Sequence, residues 1–322
     1  MSELRYHPFL ETWVMTATHR QDRTFLPPSD FCPLCPTQAG GFPTEIPAED
    51  FDIVVFENRF PSLRRNPEPP AVEGLAMAPV RPSNGVCEVV VYTPEHAGSF
   101  ADLSLQKVER LVRVWKDRYV ELSSIPEVEY VFIFENKGRE IGVTLSHPHG
   151  QIYAYPYIPA TLAQELASER RYWEAAGKTL WDDWLGAELA DGSRVIVENS
   201  EFVAVVPYFA RYPFEVWVVA RREVRSLALA NEATLDALAD LLLKVARAYD
   251  RLFGFSLPYV MAMHQEPAAP GYEFTRLHVE FYPPHRTHDK LKYLAGSEAG
   301  AGAFINDTLP ESSAARLRAC VE

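Results

Sequence analysis

Two histidines separated by one residue, then a glycine and an amide, make up the stretch Ser146-His147-Pro148-His149-Gly150-Gln151. In an extended chain alternate residues face one side, so His147, His149 and Gln151 present nitrogen-bearing groups to one surface. Gly150 lets the backbone come close to a bound group. Such a row suits chemistry at phosphorus: a neutral imidazole attacks while neighbouring donors hold phosphate oxygens. A lone His-x-His is more often a pair of exposed loop histidines. Here an apolar, aromatic run from Ile152 to Tyr157 follows at once and predicts a strand.

Two further sets of side chains could bind metal. Cys32-Pro-Leu-Cys35 is a Cys-x-x-Cys knuckle in a Pro-rich loop. It reads as a zinc half-site or a redox pair, and Pro33 and Pro36 disfavour the helix that a redox pair usually opens. His96 and His147 are the candidates to complete a zinc site. A metal there would be structural and would hold the neighbouring His149 in place from outside. In the other half, Glu165, His264, His278 and Glu280 form the second candidate set. His278 and Glu280 alternate on one predicted strand, and imidazoles with carboxylates suit iron or zinc. Buried histidines with carboxylate partners are common without any metal. His285 and His288 flank a polar turn and are expected in solvent.

An internal repeat must position these groups. The first half runs through strands at Ile53–Asn58 and Cys87–Tyr92, an amphipathic helix carrying Leu105, Val108, Leu111, Val112, Trp115 and Tyr119, a strand at Val128–Phe134, and the histidine strand. The second half runs through Val195–Asn199, Phe202–Pro207, Phe214–Val219, a helix capped by Asn231, then Tyr259–Met263 and Leu277–Glu280. This order predicts an α+β fold of two fused halves, each an antiparallel sheet with packed helices. We divide the chain at residues 1–178 and 179–322. Pro159–Lys178 is expected to be a linking helix, Pro61–Pro82 a surface loop, and Pro310–Ala319 a C-terminal helix.

Bulk properties exclude some functions. A chain of 322 residues with 47% hydrophobic content can bury a large core. A formal charge of −13 argues against nucleic acid as a partner. There is no basic-then-apolar leader at Met1 and no apolar run long enough to span a bilayer. The four cysteines do not read as a disulfide framework. A cytoplasmic enzyme is the expectation, with Cys87 and Cys320 as ordinary packed or surface thiols.

At nearly full length the chain resembles the galactose-1-phosphate uridylyltransferase family of the histidine-triad superfamily. The resemblance rests on Trp13-Val14, His19-Arg20 and Arg23, the Cys-x-x-Cys pair, and Phe56-Glu-Asn-Arg-Phe-Pro61. It continues in Phe134-Glu-Asn-Lys-Gly138, His-Pro-His-Gly-Gln-Ile, Val205-Val-Pro-Tyr208 and Pro213-Phe-Glu215, and ends in Phe281-Tyr-Pro-Pro284 and Lys292-Tyr-Leu-Ala-Gly296. The resemblance implies two histidine-triad-like halves, His149 as nucleophile and Gln151 as its phosphate-holding partner. It implies zinc at Cys32, Cys35, His96 and His147. A second metal, iron or zinc, would sit at Glu165, His264 and His278, with Glu280 where the best-known members carry a histidine. Sugar-nucleotide contacts are implied for Asn58, Arg59, Asn136, Gly142, Val143 and Thr144. Arg20, Arg23, Lys292, Tyr293, Ser297 and Glu298 would complete the site across a homodimer. Ser297 replaces an aromatic residue found in some members.

The chemistry of Gln151 agrees with this. Histidine-triad hydrolases carry a third imidazole there, able to protonate a poor leaving group. A sugar 1-phosphate, with a second pKa of about 6, needs no such acid. An amide donates to a phosphoryl oxygen but shuttles no proton, which favours a lasting nucleotidyl-imidazole over hydrolysis. The expected activity is exchange of UMP between UDP-glucose and galactose 1-phosphate. Rival readings are an adenylyl-donor transferase or phosphorylase, a nucleotide hydrolase, and a zinc-binding interaction module without catalysis.

Overall fold

The computed structural model describes residues 2–22 and 31–321. Twelve strands and five helices are assigned among them. The strands are β1 (Ser2–His7), β2 (Thr12–Ala17), β3 (Val54–Glu57), β4 (Val80–Pro82), β5 (Val86–Val91), β6 (Tyr130–Lys137), β7 (His149–Tyr155), β8 (Val195–Glu198), β9 (Phe202–Val205), β10 (Val216–Ala220), β11 (Tyr259–His264) and β12 (His278–Tyr282). The helices are α1 (Leu105–Ser123), α2 (Ala160–Ala176), α3 (Leu180–Asp191), α4 (Glu232–Phe253) and α5 (Pro310–Arg318).

The repeat expected from sequence appears as order within a sheet. Nine strands form one antiparallel sheet in the order β3-β5-β7-β6-β11-β12-β10-β9-β8. The halves therefore share one sheet, joined where β6 pairs with β11, instead of each closing its own. Reading outward from that seam, β7, β5 and β3 on one side answer β12, β10 and β9 on the other. The alternation in β7 explains its placement: Ile152 and Ala154 enter the main core, while Tyr153 packs with Leu4, Leu63 and Cys87 on the other face. A smaller sheet, β2-β1-β4, was not expected from sequence. Its edge strand β4 lies at the end of the Pro-rich segment, and an edge position tolerates Pro82.

One face of the large sheet carries α1 and α4, whose apolar stripes join both halves in a continuous core. Val108, Leu111, Val112 and Trp115 of α1 pack there with Leu235, Leu238, Leu242 and Val245 of α4. The other face carries the candidate site residues. The Cys32–Cys35 loop covers Val89 and Val91 on one half, and Trp181 and Leu185 of α3 cover Val203, Val205 and Val219 on the other. The expected linking helix is α2; the separate helix α3 after Gly177 was not foreseen. Asn231 caps α4 as expected, its Oδ1 accepting from the Thr234 N–H at 2.9 Å. Asn231→Ala should lower unfolding free energy by about 1 kcal/mol, read as a shift in urea midpoint.

Candidate active site and metal centres

His149 opens β7, opposite Val91 of β5, and Gln151 lies opposite Val89 and Phe134. The His149 ring is half-buried, and its Nδ1 lies 2.7 Å from the carbonyl oxygen of His147. A carbonyl only accepts, so in the neutral ring Nδ1 carries the proton and Nε2 the lone pair. The Tyr153 hydroxyl donates to Gln151 Oε1 at 3.4 Å, which leaves the amide nitrogen to donate elsewhere.

His147 follows the same rule with its nitrogens reversed. It is buried, and Nε2 donates to the Thr93 carbonyl at 2.7 Å. That leaves Nδ1, which lies 3.6 Å from Cys35 Sγ and 3.9 Å from Cys32 Sγ. His96 Nδ1 lies 3.5 Å from Cys35 Sγ, and its Nε2 faces the Ser146 hydroxyl. Ligand atoms of Cys32, Cys35, His96 and His147 all fall within 4.8 Å of one another. Burial holds the His147 imidazole below its usual pKa, in the neutral form that ligates. Burial and the neighbouring Cys32 push the Cys35 thiol up to about 11, a bias that a divalent cation would reverse. Soft donors, fixed tautomers and close spacing fit zinc.

A cleft of about 550 Å³ runs beside His149 and gathers Asn136, Val143 and Thr144 from the sequence-predicted contacts. Lys137, Arg139 and Pro258 also line it. Gly142 ends a single 3-10 turn, Arg139–Ile141, at φ 84°, a left-handed conformation that favours glycine. The remaining predicted contacts are not among the residues that line this cleft. Asn58 Oδ1 accepts from the Phe60 N–H at 2.9 Å, and Arg59 is exposed and paired with Glu45. Arg20 donates to the Phe60 carbonyl at 2.9 Å. Lys292 is buried and pairs with Glu298 at 2.9 Å while donating to the Ile305 carbonyl, so its charge is answered within its own loop. Ser297 donates to the Ala303 carbonyl, and Tyr293 is exposed. Arg23 lies outside the described residues.

The second cluster occupies the equivalent place in the other half. His278 lies opposite Val219 of β10, as His149 lies opposite Val91 of β5. Its Nδ1 donates to the carbonyl two residues earlier, that of Arg276, at 2.9 Å. Nε2 is thereby left facing Glu165 Oε1 at 3.2 Å and Glu280 Oε1 at 3.3 Å. His264 Nδ1 lies 2.8 Å from Glu165 Oε2. All four residues have ligand atoms within 4.8 Å of one another. Burial pushes Glu165 up, but His264 and His278 outweigh it and hold its carboxyl below the usual range. Burial likewise lowers His278, and Glu165 with Glu280 overcomes this and raises it to about 10. A bound cation would replace that proton, so the donor set fits a metal. Trp181 and Trp217 cover the His278 ring, at 4.5 and 5.3 Å between centroids.

Sequence reasoning missed the partners of Glu280. Arg211 reaches its Oε2 at 3.0 Å, and the Tyr282 hydroxyl donates to the same oxygen. Tyr282 stands two residues away on the same strand, so the period-2 pattern could have placed it there; nothing local pointed to Arg211. His285 is buried against Phe255, contrary to expectation, because the chain after β12 folds back on that ring. His288 is exposed as expected.

Comparison with known proteins gives a consistent result. Residues 1–159 match the family model described as galactose-1-phosphate uridyl transferase, N-terminal domain, and residues 165–322 match the C-terminal domain. A galactose-1-phosphate uridylyltransferase from Thermotoga maritima is 40% identical, over 99% of this chain and 98% of the relative. One from Streptomyces lividans is 39% identical, over 98% and 86%. A solved uridylyltransferase structure superposes with a TM-score of 0.89 at 31% identity, covering 99% of this chain and 98% of that one. An ADP-glucose phosphorylase from Arabidopsis thaliana shares the fold, with a TM-score of 0.73 at 24% identity and coverage of 99% and 98%.

Below the histidine strand, on the core face, lies Glu135. Burial pushes its carboxyl up to about 7, against the lowering effect of the Tyr92 hydroxyl, the Lys137 charge and the Tyr259 hydroxyl; Asp250 adds to the rise. An unfolded glutamate ionises near 4.5. Between 4.5 and about 7 the folded chain therefore holds a proton that the unfolded chain has lost. The contribution of Glu135 to stability should fall as pH rises through that window and level off above it, by on the order of 3 kcal/mol. Glu135→Gln, neutral at every pH, should lose this share of the decline. Urea unfolding at about pH 5 and about pH 8 measures it; an unchanged slope in the variant would remove Glu135 as its source.

Proposed function

Because the chain belongs to the galactose-1-phosphate uridylyltransferase family, we propose that it moves uridylate from UDP-glucose to galactose 1-phosphate through a covalent intermediate on His149. One observation carries the reading. The bond from His149 Nδ1 to the His147 carbonyl leaves Nε2 as a nucleophile beside the cleft that holds Asn136, Val143 and Thr144. In the first step the Nε2 lone pair bonds to the α-phosphorus of UDP-glucose. The bond from that phosphorus to glucose 1-phosphate breaks, and the electron pair leaves with the sugar phosphate. In the second step a phosphate oxygen of galactose 1-phosphate attacks the same phosphorus, and the P–N pair returns to Nε2. Neither step requires an acid, so the Gln151 amide only has to donate to phosphoryl oxygens.

Asn58, Arg59, Asn136, Gly142, Val143 and Thr144 supply the nucleotide and phosphate contacts in this reading. Arg20, Arg23, Tyr293 and Ser297, with the Lys292–Glu298 pair, complete the sugar end in a homodimer. Zinc is the metal for Cys32, Cys35, His96 and His147; when bound it ties the loop to His147 and stiffens the backbone that accepts from His149. Iron or a second zinc is the metal for Glu165, His264, His278 and Glu280. Residues 1–178 then form the half with the nucleophile, and 179–322 complete the second metal site. No described helix is long and apolar enough to cross a membrane, and the cytoplasm is the proposed compartment.

Incubation with base-labelled UDP-glucose or ADP-glucose alone tests the activity. Label from UDP-glucose should stay on the protein and vanish in His149→Gly. Preferential adenylyl labelling would overturn the donor assignment, and release of free nucleotide without label would indicate a hydrolase. The metals are tested by elemental analysis. Cys32→Ser should lower bound zinc and activity together, while Glu165→Ala should lose the second metal mainly at a cost in thermal stability. Full zinc occupancy in Cys32→Ser would dismiss the first ligand set.

A further inference from the structure

The backbone between His149 and Gln151 rests on a phenol. A Cβ built on Gly150 would lie 2.2 Å from the Tyr92 hydroxyl and 3.1 Å from the ring carbon that bears it. Gly150 points into the core, while His149 and Gln151 leave the opposite face of β7. The Tyr92 hydroxyl donates to Glu135 Oε2 at 2.9 Å, and the Tyr259 hydroxyl donates to Glu135 Oε1 at 3.2 Å. All three side chains are buried. Tyr92 is held from several sides. Its ring meets Phe100 and Trp115 edge-on, at 6.0 and 6.3 Å, and its backbone N–H bonds to the Pro148 carbonyl at 3.1 Å. Glu135 follows Phe134, the residue opposite Gln151, so the anchor belongs to the strand that flanks the histidine strand.

We propose that Tyr92 is a positioning residue for the transfer reaction: its hydroxyl, anchored on Glu135, is the stop that sets the depth of the His149–Gln151 backbone in the sheet. Tyr92 is buried and is not among the residues that line the cleft. It acts by holding Nε2 of His149 and the Gln151 amide at a fixed spacing from the phosphorus. A reacting group displaced by about 1 Å can lose about 100-fold in rate, so a small settling of Gly150 is enough to matter. This inference rests on His149 being the nucleophile. If wild-type protein takes no label from UDP-glucose, that reading fails and not the contact.

Two phenylalanine variants separate positioning from stability. Tyr92→Phe and Tyr259→Phe each remove one hydroxyl from the same carboxylate, but only Tyr92 touches Gly150. Both should lower the melting temperature by similar amounts. Tyr92→Phe alone should slow both half-reactions, by about 10-fold in kcat, with KM for UDP-glucose within about twofold. A second pair of variants keeps the idea testable if one of these folds poorly. Gly150→Ala should be severely impaired, and adding Tyr92→Phe should restore part of its activity, because the 2.2 Å clash is gone while the 3.1 Å ring contact and the 3.2 Å contact with the Phe134 carbonyl oxygen remain. Equal kcat losses in the two phenylalanine variants, or purely multiplicative losses in the Gly150→Ala, Tyr92→Phe double variant, would overturn the proposal.

Discussion

The hydrogen bond from His149 Nδ1 to the carbonyl two residues before it governs the site, because it decides which nitrogen of the ring can react. It needs no side-chain partner. The strand supplies the acceptor, and the pairing of β7 with β5 and β6 on both sides supplies the strand. The neighbouring histidine is handled in mirror fashion: Thr93 takes the Nε2 proton of His147 and leaves Nδ1 toward the two cysteines. Two imidazoles separated by one proline thus offer backbone carbonyls opposite nitrogens, which favours opposite tautomers. In the proposed reading one serves as the nucleophile and the other as a metal ligand.

The second half reuses this device for another purpose. His278 donates Nδ1 to the carbonyl two residues earlier, at the matching register, yet its Nε2 meets carboxylates. Glu280 stands where Gln151 stands in the first half, since Trp217 and Val89 hold the corresponding positions opposite them. The change from amide to carboxylate replaces a hydrogen-bond donor suited to phosphate oxygens with an anion suited to a cation. Arg211 and Tyr282 then occupy the far oxygen of Glu280, so the carboxylate offers its near oxygen to the histidines.

Much of this was legible in the sequence because the informative residues are close together along the chain. The His-Pro-His-Gly-Gln run, the Cys-x-x-Cys pair and the alternation of His278 with Glu280 are local patterns, and period-2 spacing alone says which side chains share a face. The twofold order of strands and helix was also visible as repeated hydrophobic periodicity. The joining of both halves into one sheet was not, because the seam between β6 and β11 pairs residues with no shared local signal. Nor was the support beneath Gly150. Glu135 lies 43 residues from Tyr92 and 124 from Tyr259. A tyrosine in an apolar strand reads as core whether or not its hydroxyl has a task. The small sheet of β1, β2 and β4 escaped because β1 and β2 lack a clean alternation of buried and exposed residues, and β4 is three residues long and ends in proline.

The shared sheet also has a consequence for how the chain must be made. When the first half leaves the ribosome, β6 has its partner β7 on one side only. Its other edge stays bare until β11 is synthesised. That strand, Tyr-Val-Phe-Ile-Phe-Glu-Asn-Lys, is rich in residues that favour sheet, and a bare edge of this kind is a template for pairing with another chain. At about 5–20 residues per second the interval lasts on the order of 10 s. The polar end of the strand, Glu135 to Lys137, is its own partial safeguard against mispairing before the second half arrives.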